Sequence, residues 1–275
     1  MSLPGRQSSV LNRDIQRMNF DSFWRRCRGR YQRAAAAYLH RRPFLMRNKT
    51  PIISFTFDDF PRSALLTGGT ILEEQGLRGT YYASLGLMGK TAPTGRIFEQ
   101  DDLPLTLERG HELGCHTFAH CDASQTSPAL FAESIFENQR AISVLAPGPG
   151  FKTLSYPIGT PRPAVKKVSS RYFQGCRAGG QTYNSGLVDL NYLQAFFIEQ
   201  CRDRPNEIKA IIDATCRDRG WLIFGTHDVC EHSTAYGCTP TLFEEIVRYS
   251  VGSGAQVVPV SKALSIIGAT RPITA

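Results

Sequence analysis

The chain has 275 residues, 41% of them hydrophobic and 20% charged, which is enough for the core of one large globular α/β domain. No apolar run reaches the roughly 18 residues of a transmembrane helix, and the first 50 residues hold no run suited to a secretory signal. We therefore expect a cytoplasmic protein. The eight cysteines are scattered without an export signal, so we expect reduced thiols.

The positive charge is concentrated at the N-terminus. Residues 1–50 contain twelve Lys and Arg residues and two Asp residues, a net charge of +10, whereas the whole chain carries +8, so the remainder is slightly acidic. Aromatic residues are interleaved with the arginines, and we expect this segment to be helical. It can pack its aromatic side chains on the rest of the protein, or lie on an anionic membrane surface as a peripheral contact. Nucleic acid is the least favoured partner, and none is expected.

Beyond residue 50, short apolar runs alternate with helix-like segments. The runs predict eight strands, which are Ile52–Phe57, Gly79–Ala83, Gly114–Phe118, Lys152–Tyr156, Tyr172–Arg177, Tyr192–Ile198, Trp221–Thr226 and Ala255–Val258. The main predicted helices are Ser63–Gln75, Pro128–Leu145, Pro205–Arg217 and Pro240–Ser253. This order indicates a parallel α/β architecture, either a barrel or an open sheet. A nucleotide-binding open sheet is disfavoured because no glycine-rich phosphate loop follows the first strand.

Unusual polar residues end or follow four of these strands. They are Asp58 and Asp59, His116 and His120, Tyr156, and His227 with Asp228. Because the carboxyl ends of parallel strands meet on one face of a barrel, where active sites lie, these side chains should converge. Adjacent Asp residues after a strand can also be a simple helix cap, and a histidine pair can be satisfied without metal.

The histidine spacing suits a metal. His116 and His120 are four residues apart, so on one helical turn both imidazoles would point the same way. Two imidazoles and one carboxylate leave open positions for water and substrate, as in a catalytic site. Of two successive Asp residues leaving a strand, one can bind metal while its neighbour faces the water. Amide hydrolysis needs such a base, a Lewis acid and an acid for the leaving nitrogen.

Four segments in this order resemble the motifs of the polysaccharide deacetylase (NodB-homology, carbohydrate esterase family 4-like) family. They are FTFDDFP at 55–61, GHELGCHTFAH at 110–120, LSYPIG at 154–159 and WLIFGTH at 221–227. The resemblance runs from about residue 52 to residue 264. It implies a distorted, TIM-like (β/α) barrel of 7–8 parallel strands and a divalent metal, usually zinc but sometimes cobalt, nickel or manganese.

The same resemblance implies roles for individual residues. Asp58 would be the catalytic base and His227 the general acid, while Asp59, His116 and His120 would hold the metal. The backbone N–H of Ile158 would bind the oxyanion, and Tyr156 would line the substrate site. Aromatic faces for sugar stacking could come from Phe60, Phe118, Tyr156, Tyr183 and Tyr236.

Two departures from the family pattern affect this interpretation. Phe60 occupies a position where the family usually has Gly, which would put a bulky ring at the mouth of the pocket. Ser155 occupies the position of an Arg that often orients the base, so Asp58 would lack that partner. Asp189 and Asp213 are the candidates for an acid that tunes His227.

We therefore expect a basic N-terminal segment over residues 1–50 and a polysaccharide deacetylase-like catalytic barrel over residues 51–275. The favoured function is metal-dependent hydrolytic N-deacetylation of an N-acetylated amino sugar in an oligosaccharide, polysaccharide or lipid-linked glycan. A metal-dependent hydrolase of a small cyclic amide or ureide is the second hypothesis, supported by Phe60 and the missing Arg. A catalytically silent barrel that binds glycan is the third.

Overall fold

The structure is a computed structural model and describes residues 31–32, 34–148 and 150–270. Its strands, numbered in chain order, are β1 (Pro43–Leu45), β2 (Ile52–Phe57), β3 (Thr80–Ala83), β4 (Thr91–Ala92), β5 (Gly95–Arg96), β6 (Glu112–Cys115), β7 (Thr153–Ser155), β8 (Gly175–Arg177), β9 (Leu187–Asp189), β10 (Phe196–Phe197), β11 (Trp221–Thr226) and β12 (Gln256–Val257). The α-helices beyond residue 50 are α1 (Thr70–Glu74), α2 (Asp102–Glu108), α3 (Pro128–Leu145), α4 (Pro163–Ser169), α5 (Pro205–Arg217), α6 (Pro240–Gly252) and α7 (Val260–Ile266). Residues 34–38 are also helical.

The main sheet is parallel and curls into a distorted barrel. Its strand order is β10-β11-β2-β3-β6-β7-β8, and β12 pairs with β2 beside β3. The chain between β9 and β10 approaches β8 at the seam, where Leu193 N donates to Cys176 O (2.9 Å) and Ala178 N donates to Leu193 O (2.8 Å). The predicted distorted (β/α) barrel is thereby confirmed. All eight predicted strands overlap observed ones, while β1, β4, β5 and β9 were not predicted.

The centre of the barrel is formed by two strands that are buried on both faces. Every residue of β2 and of β11 is buried, as expected for near-continuous apolar sequences in a parallel sheet covered by helices. Phe55 stacks on Phe224 with ring centroids 5.2 Å apart, and Phe243 of α6 packs edge-on against Phe55 at 5.4 Å. This packing fixes the two strands whose carboxyl ends lead into Asp58 and His227.

Two helices have the bounds that the sequence predicts, because their starts are encoded locally. Both α3 and α5 begin at a proline, whose fixed φ suits the first helical position. In α3 the Ser127 side chain also accepts a hydrogen bond from Leu130 N (3.3 Å), which caps the helix. Helix α6 ends one residue earlier than predicted.

The helix predicted over Ser63–Gln75 has a different form. A π-helical turn spans Ala64–Gly69, and only Thr70–Glu74 is α-helical. The two glycines that end the turn let it approach the barrel closely: a Cβ on Gly69 would lie 2.8 Å from the Tyr81 hydroxyl. The prediction from periodicity was therefore right in position and wrong in helix type, because packing against the barrel sets the local geometry.

Part of the basic N-terminal segment packs on the barrel. Strand β1 pairs antiparallel with β9, and the buried Lys166 donates to Ala36 O and pairs with Asp189 (2.6 Å). Asp189 therefore belongs to this contact and is not a partner of His227, which corrects one of the two tuning candidates. Residues 1–30 lie outside the described residues, so the helix and the membrane contact considered for them stay predictions.

The described residues also bear on the membrane and redox expectations. None of the helices in these ranges combines the length and apolar character needed to cross a bilayer. The seven cysteines that the structure describes are free thiols, and their redox state stays a prediction.

Candidate metal centre and catalytic site

The carboxyl ends of the parallel strands open into a cavity of about 1020 Å³. Residues that follow or end five different strands line it, namely Asp58 and Asp59 after β2, His116 and His120 after β6, Tyr156 and Ile158 after β7, Arg177 at the end of β8 and His227 after β11. The cavity thus lies where a barrel places its active site. It brings together residues separated by up to about two thirds of the chain.

Three of these residues form a cluster with the donor set of a metal site. One ligand atom each from Asp59, His116 and His120 lies within 4.8 Å of the others. The Asp59 Oδ1 atom is 2.9 Å from His120 Nε2 and 3.5 Å from His116 Nε2. Asp59 and His116 are buried, while His120 is about a quarter exposed.

The hydrogen bonds around this cluster fit a cation. His116 Nδ1 donates to Ser155 O (2.8 Å), because a carbonyl can only accept, and burial lowers the pKa of His116 to about 4. The neutral ring therefore presents the lone pair of Nε2 to Asp59 Oδ1. That oxygen is itself buried and has no hydrogen bond of normal geometry, although His120 Nε2 lies 2.9 Å away and its contact with Asp59 raises the pKa of His120 against the effect of burial. Asp59 Oδ2 accepts a hydrogen bond from Thr94 Oγ1 (2.9 Å). Two acceptor atoms face each other without a proton between them, which is the arrangement of ligands around a metal.

The backbone at the cluster is locally strained. The structure gives left-handed φ angles to Asp59 (59°), Phe60 (56°), Thr117 (57°), His120 (50°) and Ile158 (62°). Residues 116–120 form an irregular turn, so the helical turn predicted for the histidine pair is wrong. The imidazoles still meet, with ring centroids 5.0 Å apart, because the left-handed residues bend the chain back after β6.

Asp58 has a partner that the sequence interpretation did not identify. The guanidinium of Arg177 forms an ion pair with Asp58 Oδ1 and also donates to Ser155 Oγ. Burial alone raises the pKa of Asp58, but Arg177 and the nearby His116 and His227 together lower it below its ordinary value. The expectation that Asp58 lacks an Arg partner because position 155 is Ser is therefore wrong: the Arg comes from β8, the next strand.

Phe60 does not stand at the mouth of the cavity. Its side chain is fully buried and stacks on Phe98 with ring centroids 4.8 Å apart, next to Tyr81 at 4.9 Å. The left-handed backbone at Asp59 and Phe60 turns the ring inward, into the core. The expectation of a bulky group at the pocket entrance is therefore wrong, and Phe60 offers no face to a sugar.

His227 lies across the cavity in a loop that follows β11. Its Nδ1 donates to Tyr236 O (3.1 Å), and its ring packs edge-on against the Tyr236 ring with centroids 5.6 Å apart. With Nδ1 committed to a carbonyl, Nε2 is the nitrogen left to exchange a proton with a ligand. The second tuning candidate, Asp213, accepts from the exposed Tyr249 hydroxyl (3.0 Å) on the surface and does not line the cavity, so it is not a partner of His227.

Tyr156 and Ile158 form one wall. Tyr156 N donates to Arg177 O (2.9 Å) and its hydroxyl donates to Asn191 O (3.2 Å), so this residue presents mainly its ring. The Ile158 amide, in contrast, has no hydrogen-bond acceptor among the described residues. Of the other aromatic candidates, Tyr236 lines the cavity, whereas Phe118 and Tyr183 do not.

Comparison with known proteins agrees with this geometry. A protein-family model described as polysaccharide deacetylase matches residues 46–173. The chain is similar to a family 4 acetyl xylan esterase from Clostridium thermocellum with a bound cobalt ion, at 17% identity and a TM-score of 0.53, over 81% of this chain and 93% of that one. It is also similar to the family 4 carbohydrate esterase PdaA from Bacillus subtilis, at 13% identity and a TM-score of 0.52, over 81% and 84%.

A third similar structure is a family 4 pseudoenzyme from Bacillus anthracis, with 11% identity, a TM-score of 0.57 and coverage of 79% of this chain and 66% of that one. At these identities the structures establish the fold alone. A comparison with curated proteins found no match. The family model itself extends from the end of β1, through the Asp and His motifs, past α4, so this part of the chain is similar to the polysaccharide deacetylase family.

Proposed function

We propose that the protein is a metal-dependent hydrolase that removes the acetyl group from an N-acetylated amino sugar in a glycan. One observation carries this proposal: a buried Asp59 oxygen without a hydrogen bond of normal geometry faces two imidazole nitrogens, directly beside an ionised Asp58, in a large cavity. The match of residues 46–173 to the polysaccharide deacetylase model supports carbohydrate deacetylation, and the cavity contains the groups that this reaction needs.

The proposed metal is a divalent cation, with zinc preferred. Two imidazoles and one carboxylate are the donors of many zinc hydrolases and leave positions open for water and substrate. Asp59, His116 and His120 would hold the ion, which when bound supplies positive charge that polarises the acetyl carbonyl and acidifies water. Thr94 and Ser155 would orient two of the ligands through hydrogen bonds to Asp59 Oδ2 and His116 Nδ1.

The remaining residues would carry out the proton transfers. The Asp58 carboxylate takes a proton from the attacking water, whose oxygen forms the new bond to the acetyl carbon. The Ile158 amide donates a hydrogen bond to the developing oxyanion. His227 gives a proton to the leaving nitrogen as the C–N bond breaks. The products are acetate and the free amine.

The two alternative functions lose their main support. The cyclic-amide hypothesis rested on a bulky Phe60 at the entrance and on a missing Arg, but Phe60 is in the core and Arg177 contacts Asp58. The silent-barrel hypothesis rested on the same missing Arg. Because one similar structure is a pseudoenzyme, an activity assay is needed to distinguish an active barrel from a silent one.

The decisive test is acetate release from a panel of N-acetylated oligosaccharides, measured with added zinc and after chelation. We expect release that chelation abolishes and that zinc restores, and an Asp58→Asn variant that binds metal but loses about 10² to 10⁴-fold in rate. Glu112→Gln, at the opposite end of the barrel, is the control that should keep its activity. Metal binding without acetate release from any sugar would overturn the proposed activity.

A further inference from the structure

The chain that leads into the barrel presents a stripe of basic and apolar side chains. Between residues 41 and 49 every second residue is exposed, as in an extended segment with one covered face, and these residues form the outer stripe: Arg41, Pro43, Leu45, Arg47 and Lys49. The residues between them face the barrel. Phe44 packs on a buried apolar cluster, Met46 belongs to that cluster, and the Arg42 guanidinium donates to Phe173 O (3.0 Å).

The outer stripe exposes apolar surface where β1 pairs with β9. Leu45 lies directly opposite Leu187 in the register of the two strands, and these side chains are 49% and 60% exposed. Because opposite residues of an antiparallel pair lie on the same face, the two leucines form one apolar patch. Tyr38, at the end of the short helix before the stripe, is also exposed. The boundary between the headgroups and the acyl chains of a membrane could bury such a patch.

The cations of the outer stripe lack acidic partners. Arg41, Arg47 and Lys49 form no ion pair and no side-chain hydrogen bond with any residue that the structure describes. Exposed cations elsewhere do have such partners, as Arg248 has in Glu244 (2.6 Å). Three unpaired cations beside an apolar patch complement the negative surface of a membrane that contains anionic lipids.

The described chain begins at the rim of the cavity, and its basic character extends beyond that point in the sequence. Residues 31–50 contain five Lys and Arg residues and no acid, and residues 1–30 add seven Arg and two Asp residues. Gln32 Nε2 donates to Ser124 O (3.1 Å), and a Cβ on Gly159, which lines the cavity, would lie 2.9 Å from the Ser124 Cβ atom. The basic sequence therefore leads from the cavity rim into the outer stripe.

We infer that the outer stripe, together with Leu187, is a peripheral contact for an anionic membrane surface. The two leucines would enter the boundary between headgroups and acyl chains, while the three cations would contact the acidic groups of the lipids. A nucleic acid fits this surface less well, because its phosphates would leave the leucines exposed to water. Such a contact would exist whether or not the cavity removes acetyl groups.

The test is co-sedimentation of the full chain with vesicles of phosphatidylcholine, with and without phosphatidylserine. We expect binding only to the vesicles that contain phosphatidylserine, and weaker binding at high salt. Replacing the cations together, as Arg41→Gln, Arg47→Gln and Lys49→Gln, should weaken binding by about 100-fold, since each contributes a factor of about five. Leu45→Gln with Leu187→Gln should weaken it by at least about tenfold and leave its salt dependence in place.

A matched control carries the same kinds of change outside the outer stripe. Leu66 is 47% exposed on the turn after β2, and Arg140 is exposed on α3. The variant Leu66→Gln with Arg140→Gln should bind vesicles as wild type does. Thermal denaturation should show that all these variants fold, because the changed side chains are exposed. Acetate release from a soluble oligosaccharide should be the same in all of them, so a failure of the proposed reaction is observed separately from a failure of vesicle binding.

Three other outcomes would overturn the inference. Wild type that does not sediment with phosphatidylserine vesicles makes no such contact. Stripe variants that bind as wild type does, with binding lost only on replacing arginines of residues 1–30, would assign the contact to that segment. Tighter binding to a single-stranded RNA than to vesicles at the same salt, or a wild-type dimer that Leu45→Gln with Leu187→Gln dissociates, would identify a nucleic acid or a second copy as the partner.

Discussion

The two ends of strand β6 carry polar clusters of opposite character. At its amino end, the Glu112 carboxylate accepts hydrogen bonds from Thr80 Oγ1 (2.9 Å), Thr153 Oγ1 (2.8 Å) and Ser261 N (2.8 Å). At its carboxyl end, His116 Nε2 and Asp59 Oδ1 face each other 3.5 Å apart with no proton to share. Both carboxylate oxygens of Glu112 have hydrogen-bond donors, whereas Asp59 Oδ1 has none of normal geometry, as the proposed cation site requires.

This difference separates structural from functional polar groups within one barrel. Glu112 connects β3, β7 and the start of α7, so its hydrogen bonds stabilise the end of the barrel opposite the cavity. Partial burial raises the pKa of the Glu112 carboxyl group, but both of its oxygens accept hydrogen bonds. In a native protein nearly all buried polar atoms are satisfied, so an unsatisfied one needs an explanation, and beside two imidazole nitrogens a bound cation is the one we propose.

The largest effect on activity should come from the cluster of Asp59, His116 and His120 at the carboxyl end of β6. His116→Ala removes a proposed ligand and should abolish both metal binding and acetate release, because even residues that only orient ligands are worth about 10- to 100-fold. Metal content of the purified protein and equilibrium titration with zinc measure the first effect. A variant that retains one equivalent of tightly bound zinc would contradict the assignment of His116 as a ligand.

His227→Gln should have the next largest effect. It removes the group proposed to protonate the leaving nitrogen while keeping a polar side chain near Tyr236 O. We expect kcat to fall by about 10² to 10⁴-fold, with an unchanged metal content. A substrate with a better leaving group should recover part of the loss. Equal losses for good and poor leaving groups would show that His227 is not the general acid.

Thr94→Val tests the outer hydrogen bond of the metal cluster. The Thr94 hydroxyl donates to Asp59 Oδ2 (2.9 Å), and Val preserves its shape without the donor. We expect zinc affinity to weaken by about 10- to 100-fold, with kcat near wild type once zinc is saturating. A reduced kcat at saturating zinc would indicate that Thr94 has a role in the reaction itself.

The smallest effect on catalysis should come from the hydrogen-bonded cluster around Glu112 at the amino end of β6. Glu112→Ala leaves two threonine hydroxyls and one backbone amide without their acceptor, so the free energy of unfolding should fall by roughly 1–3 kcal/mol. Metal stoichiometry and kcat per folded molecule should stay at wild-type values. Thermal and chemical denaturation measure the loss of stability. A change in kcat would mean that the hydrogen bonds at the amino end of β6 affect catalysis at its carboxyl end.

The fold was predictable from the sequence where local signals are strong. Strands β2 and β11 are continuous apolar runs with exactly defined polar ends, and the bounds of α3 follow from its Ser and Pro start and the glycine- and proline-rich turn after it. The pairing of β1 with β9 could not be predicted, because two three-residue strands far apart in sequence carry no periodic signal.

The site was predictable in its residues more than in its geometry. The residues after β2, β6 and β11 do line one cavity, since parallel strands end on the same face. The ring of Phe60 and the guanidinium of Arg177 were not placed, because a residue-by-residue motif comparison assumes that each side chain keeps the direction it has in relatives. The left-handed backbone at Phe60 accompanies a ring that points into the core, and the Arg that contacts Asp58 comes from β8. The available signal was Arg177 itself, a charge at the end of an otherwise apolar strand.

The left-handed residues around the cavity also limit how this protein can be made more robust. Each non-glycine residue in that conformation costs of the order of 1–3 kcal/mol, and Asp59, His120 and Ile158 all line the cavity. Directed evolution for heat resistance would therefore gain most readily at these positions, by relaxing the turns that aim the side chains. Such gains would trade turnover for stability. Libraries of variants for thermal stability should instead target the end of the barrel opposite the cavity, around Glu112 and α7, where we expect stability and catalysis not to compete.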